Sequence, residues 1–93
     1  HFRPFLLSRH PIVKWAKIVI QEGGTYGAVL NAANEIAVSA FLQGDIAFLD
    51  IEKIVAHLMK EHTNIPHPTF ADIEKVNIVT RQKAIDLILS RYL

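Results

Sequence analysis

Residues 25–44 read TYGAVLNAANEIAVSAFLQG. The stretch holds no proline, is apolar around most of a helical wheel, and closes on Gly44. A helix that is apolar nearly all round is a buried one, so this segment is expected to be the central helix of a bundle, from about Thr25 or Tyr26 to Gln43. Glycine is the usual residue just past a helix end, because it enters the left-handed conformation without a Cβ penalty. The polar exceptions are Asn31, Asn34, Glu35 and Ser39. Asn31, Glu35 and Ser39 fall at i, i+4 and i+8 and share one narrow stripe, with Asn34 beside it.

Outward from this segment, Pro11 suits the first position of a preceding helix, where its missing N–H costs nothing. Ile12, Trp15, Ala16, Val19 and Ile20 then recur with helical spacing as an inner face. Gly23 and Gly24 stop that helix. Residues 1–10 read as an extended lead-in or linker, and 11–93 as one helical domain. On the other side, Asp45–Leu49 is too short for a helix, and a short extended segment, either a bit of strand or a packed turn, is expected near 45–49. Asp50 is a good N-cap for a third helix. Leu49 and Ile54 flank it with staple spacing. The inner face of this helix is Ile51, Ile54, Val55, Leu58 and Met59, and it ends near His62.

Pro66 and Pro68 place residues 63–68 in a loop. Thr69 and Asp72 have capping-box spacing, which predicts a short helical turn carrying Phe70, Ile73 and Val76. Asn77 can cap a last helix with an inner face of Ile78, Ala84, Ile85, Ile88, Leu89 and Tyr92. The fold class is therefore all-α, a small bundle of about four main helices.

Composition narrows the function. The chain has 93 residues, enough for one domain only. Hydrophobic residues make up 51%, which excludes a disordered tail. Zero Cys excludes disulfide scaffolds, thiolate zinc sites and thiol catalysis. A formal net charge of +1 gives no electrostatic case for binding nucleic acid or a membrane surface. No apolar run reaches the roughly 18–20 residues of a membrane span. The chain opens on His1 and its single Met is Met59, so it is expected to be a piece of a longer polypeptide.

Chemistry-bearing motifs are scarce. Gly23, Gly24 and Gly27 do not form a dinucleotide-binding fingerprint. His57, His62 and His67 are spaced five apart, whereas metal pairs on a helix sit three or four apart so that both rings face one way. They read as surface or helix-end histidines. Glu35, oriented by Asn31 one turn earlier, has the form of a general base. A lone carboxylate with no second acid or nucleophile beside it is better explained by structure. A buried helix must satisfy its polar side chains, so Asn31, Asn34 and Glu35 are expected to be a structural polar stripe. On that reading, Glu35→Ala costs about 1–3 kcal/mol.

The run Ala28-Val29-Leu30-Asn31-Ala32-Ala33-Asn34-Glu35-Ile36-Ala37-Val38 also carries a resemblance, with Gly23-Gly24-Thr25 before it and Ala40-Phe41-Leu42, Ile46, Phe48, Asp50 and Ile51 after it. It resembles the C-terminal domain of the 1-deoxy-D-xylulose 5-phosphate reductoisomerase family. The likeness runs from Pro11 to the C-terminus and is densest over 23–51. Arg81 and Ala84 are similar to the family's last helix. His10 departs from it, standing where the family tends to have an aromatic before the proline.

The resemblance implies a parent oxidoreductase and isomerase of the non-mevalonate route of isoprenoid biosynthesis. It would use NADPH and a divalent metal, Mg or Mn, as a homodimer in a bacterial cytoplasm or a plastid. The family's cofactor loop and metal carboxylates belong to upstream NADPH-binding and catalytic domains. No catalytic, cofactor-binding or metal residue is therefore assigned to this chain. It is expected to be inactive alone and to support the catalytic domain. The competing readings are a free-standing helical interaction module and, less compatible with the charge, a small nucleic-acid binder.

Overall fold

A computed structural model describes residues 11–93, with the side chains of Pro11 and Ile12 left undescribed. The expected lead-in over 1–10 lies outside the described residues. Four helices follow one another: α1 (Pro11–Glu22), α2 (Tyr26–Leu42), α3 (Phe48–Glu61) and α4 (Phe70–Arg91). Among the described residues there is no strand. The bundle is all-α, and α2 is its centre, packing on each of the other three helices. α1 rests on α2 and α3 and does not reach α4.

The centre is built from small side chains. Val29, Ala32, Ala33, Ala37 and Ala40 are the buried residues of α2. Alanine at the contact lets neighbouring helices approach closely, since interaxial distance is set by the side chains between them. Larger residues enter from the flanks. Ile51, Ile54, Val55, Leu58 and Met59, the face read from the sequence, are all buried on α3. Trp15 comes from α1, and Ala84 and Ile88 come from α4.

The helix ends follow local chemistry. Gly44 has φ +83°, and a Schellman motif forms there. The Gly44 N–H bonds to the Phe41 carbonyl at 3.0 Å and the Asp45 N–H to the Ala40 carbonyl at 2.9 Å. At the start of α4, Thr69 Oγ1 accepts from the Asp72 N–H at 3.1 Å, and Asp72 Oδ2 accepts from the Thr69 N–H at 2.9 Å. That is the capping box expected from the spacing.

Six details differ from the sequence reading. The extended stretch over 45–49 narrows to a turn with an extended residue at Ala47, because Phe48 and Leu49 are already helical. Asp50 is accordingly not the N-cap of α3. It sits three residues inside, where its Oδ2 accepts from the Ala47 N–H at 2.9 Å. The staple shifts by the same three residues, from Leu49 and Ile54 to Ile46 and Ile51, both buried in the core.

The two helical pieces expected over 69–92 are one helix of 22 residues. No Gly or Pro interrupts it, and the Asn77 Oδ1 that was to cap a new helix instead accepts from Arg81 Nε at 2.9 Å. The inner face of α4 rotates as a result. Thr80, Ala84 and Ile88 are buried, while Ile78, Ile85 and Leu89 are exposed. Finally, Ile20 is 83% exposed. At 100° per residue it lies about 140° round the helix from Trp15, so a face centred on Trp15 takes Ile18 and Val19 and leaves Ile20 out.

Candidate interaction site and helix junction

Two of the residues singled out by the sequence, Asn31 and Glu35, lie on the α2 flank that meets α4. Asn31, Asn34 and Glu35 are all exposed on α2. The expectation that the stripe is buried is thus corrected: the alanines take the inward positions, and the polar residues are left facing out. Glu35 Oε2 accepts from an Arg81 Nη at 3.2 Å, with the side chains 61% and 31% exposed respectively. Arg81 is steadied by its Nε bond to Asn77. A solvent-exposed ion pair of this kind is worth about 0–1 kcal/mol, so the larger penalty expected for losing Glu35 does not apply to this fold.

Two open clefts flank that crossing. One is lined by Ala28, Asn31, Phe70, Ile73, Glu74 and Asn77. The other lies towards the C-terminal ends of α2 and α4, with Ile36, Ala40, Ile85, Ile88, Leu89 and Leu93 among its walls. Asn34 turns the other way, into a shallow hollow shared with Val19, Gly27, Leu30 and the other edge of Asn31. The stripe is therefore divided. Glu35 is tied to α4, Asn31 borders the first cleft, and Asn34 faces the α1 side.

A second cluster joins the α1–α2 corner to the loop after α3. Thr25 is fully buried. Its Oγ1 lies 2.7 Å from His62 Nε2 and accepts from the Ile65 N–H at 3.1 Å, while its N–H donates to Asn64 Oδ1 at 2.9 Å. Tyr26 packs edge-on against the His62 ring, with centroids 5.5 Å apart. Thr25 precedes α2 as a capping residue would, yet its side chain makes no cap bond and spans to the loop instead. The Gly23-Gly24-Thr25 run was the only local sign of this junction.

His62 is half-buried rather than a solvated helix-end cation. Burial, and then the nearby Lys83 ammonium, push its pKa below the ordinary histidine value. His57 instead faces Glu61 at 3.2 Å, and His67 is exposed. A histidine with a lowered folded pKa binds a proton more readily in the unfolded chain. Its contribution to stability is full above about pH 6.5 and is lost as pH falls below that value towards the folded pKa. The melting temperature is expected to fall between pH 7 and pH 5.5, and His62→Gln to flatten that slope. An unchanged slope in the variant would remove His62 as the cause.

Among the described residues no three His, Asp or Glu side chains lie together as metal ligands. No described helix is long and apolar enough to cross a membrane. The described residues do not fit the metal implied by the family resemblance.

Comparison with known proteins supplies the context for these surfaces. The family described as the DXP reductoisomerase C-terminal domain matches residues 1–83. The chain is similar to the 1-deoxy-D-xylulose 5-phosphate reductoisomerase of Shouchella clausii strain KSM-K16, 41% identical over 83 residues, covering 89% of this chain and 22% of that protein. It is 44% identical over 81 residues to that of Listeria innocua, covering 87% of this chain and 21% of the relative. It is 48% identical over 71 residues to that of Caldanaerobacter subterraneus subsp. tengcongensis, covering 76% and 18%. The chain thus spans only about a fifth of the length of these relatives. No solved structure matches it. With a family match along most of its length and a four-helix bundle carrying the Leu30–Glu35 signature on its central helix, this chain belongs to the DXP reductoisomerase C-terminal domain family.

Proposed function

We propose that this chain is the helical C-terminal part of a 1-deoxy-D-xylulose 5-phosphate reductoisomerase, and that its work is structural. The observation that carries the reading is the family match, which accounts for most of this chain but only about a fifth of each relative. The NADPH and divalent cation belong to upstream domains of the same polypeptide, with residues 1–10 as the connecting linker. Asn31, Asn34 and Glu35 are support residues, organising the α2 flank rather than reacting. The parent works as a dimer in a bacterial cytoplasm or a plastid.

The test uses the full-length parent. Oxidation of NADPH that depends on 1-deoxy-D-xylulose 5-phosphate and on Mg2+ or Mn2+ is expected. No such oxidation would end the reductoisomerase reading. Glu35→Ala is expected to melt within about 1 kcal/mol of the parent, as for an exposed ion pair, and to keep its turnover. A Glu35→Ala protein that melts normally but no longer turns over would place Glu35 in the chemistry.

A further inference from the structure

α4 carries two apolar stripes and buries only one. Thr80, Ala84 and Ile88 face α2 and α3. Ile78, Ile85 and Leu89 fall at i, i+7 and i+11 and form a second line along the helix, exposed by 61%, 39% and 58%. Phe70 and Ile73 extend the apolar surface at the helix start, at 79% and 40%. Phe70 and Ile73 line one cleft of the α2–α4 seam, and Ile85 and Leu89 line the other. Between the clefts stands the Glu35–Arg81 pair. Scattered exposed apolar residues need no explanation, but apolar side chains gathered at two clefts of one seam mark a contact surface.

We infer that the α2–α4 seam is the docking face for the preceding part of the same polypeptide, gripped at two apolar anchor points on either side of Arg81. Ile73 and Ile85 lie about 18 Å apart along the helix axis, from the rise of about 1.5 Å per residue. At 100° per residue they also lie about 120° apart round the helix, so the covering surface presents two apolar side chains at least that far apart. Between them it carries an acceptor, such as a backbone carbonyl, for the Arg81 guanidinium N–H groups that Asn77 and Glu35 leave free.

Length and tethering favour this occupant over a second copy. Relatives run about four times the length of this chain, so most of such a polypeptide lies outside the structure. A segment joined covalently is held at an effective concentration of about millimolar, which a separate copy does not reach. An interdomain face needs only a modest area under those conditions. The inference rests on this chain being part of a longer polypeptide, as proposed above, but not on the reaction that polypeptide catalyses.

The experiment is site-specific photo-crosslinking in the full-length protein, with p-benzoylphenylalanine in place of Leu89 and, in a second protein, in place of Phe70. Lys53, exposed on α3, is the control position. Both seam positions are exposed here, and two separate proteins guard against one failing to fold. The expected result is intrachain crosslinks to residues upstream of residue 1, at least about fivefold above the Lys53 control. Crosslinks only to residues 1–10, crosslinks joining isotopically light and heavy copies, or a yield no higher than the control would each overturn the proposal. Reductoisomerase activity is assayed on the same samples before irradiation. Crosslinks without activity would leave the docking face standing and remove the reaction. Activity without crosslinks would do the reverse.

Discussion

Gly24→Ala is expected to lower stability by about 2–5 kcal/mol, close to the limit a small domain tolerates. Two costs add. Gly24 has φ +65°, and an L-residue in the left-handed region costs roughly 1–2 kcal/mol. A Cβ there would also run into the Asn64 side chain and the Ile65 carbonyl. Overpacking of that kind costs about 1–3 kcal/mol more, because a backbone carbonyl cannot step aside as a flexible side-chain end can. A 93-residue chain has a total stability of roughly 5–14 kcal/mol, so a melt should show a loss of more than about 10 °C. Gly23→Ala is the control. Its φ is +63° but nothing lies within 4 Å of the added carbon, so only the conformational cost of about 1–2 kcal/mol applies. Equal losses for the two variants would mean that the 64–65 loop gives way and that its approach to Gly24 is not a constraint.

Thr25→Val is expected to cost about 2–4 kcal/mol, although the two side chains have nearly the same shape. The hydroxyl it removes accepts the Ile65 N–H and meets His62 Nε2. Thr25 is fully buried, and groups left unpaired in such a place cost about 1–3 kcal/mol each. Thr25→Ser keeps the hydroxyl and drops one methyl, a loss of about 0.8 kcal/mol. Denaturant titration of both separates polarity from packing. A valine variant as stable as the serine one would show that the junction is held by shape and that its hydrogen bonds contribute little.

The parts of the fold that could be read in advance are those governed by short-range rules. The core face of α3 from Ile51 to Met59 is visible because each residue recurs at helical spacing and all five are buried. Gly44 and the Thr69–Asp72 capping box are legible for the same reason, since their bonds close within a few residues. Asp50 marks the limit of such rules. An acidic residue near a helix start serves as either the cap or the third-position partner, and the difference of three residues moved the start of α3 to Phe48.

The α4 face and the polar stripe were not legible, and the reason is packing. α4 is apolar on more than one side, so periodicity alone does not say which side meets α2. Ile78, Ile85 and Leu89 look as fit for the core as Ala84 and Ile88. Likewise Asn31 and Glu35 sit in an apolar helix, which suggests burial until the alanines are seen to take the inward row.

Composition and periodicity therefore determined an all-α bundle without thiol or nucleotide-loop chemistry and the centrality of α2, while the resemblance carried by residues 28–38 pointed to the family. The tertiary structure decided which flank of α2 meets solvent, that Thr25 reaches Asn64 and Ile65 about 40 positions along the chain, and that Gly24 lies under the same loop. Those facts depend on how close two segments come in space. Helix periods, caps and breakers act over a turn or two and leave that distance open.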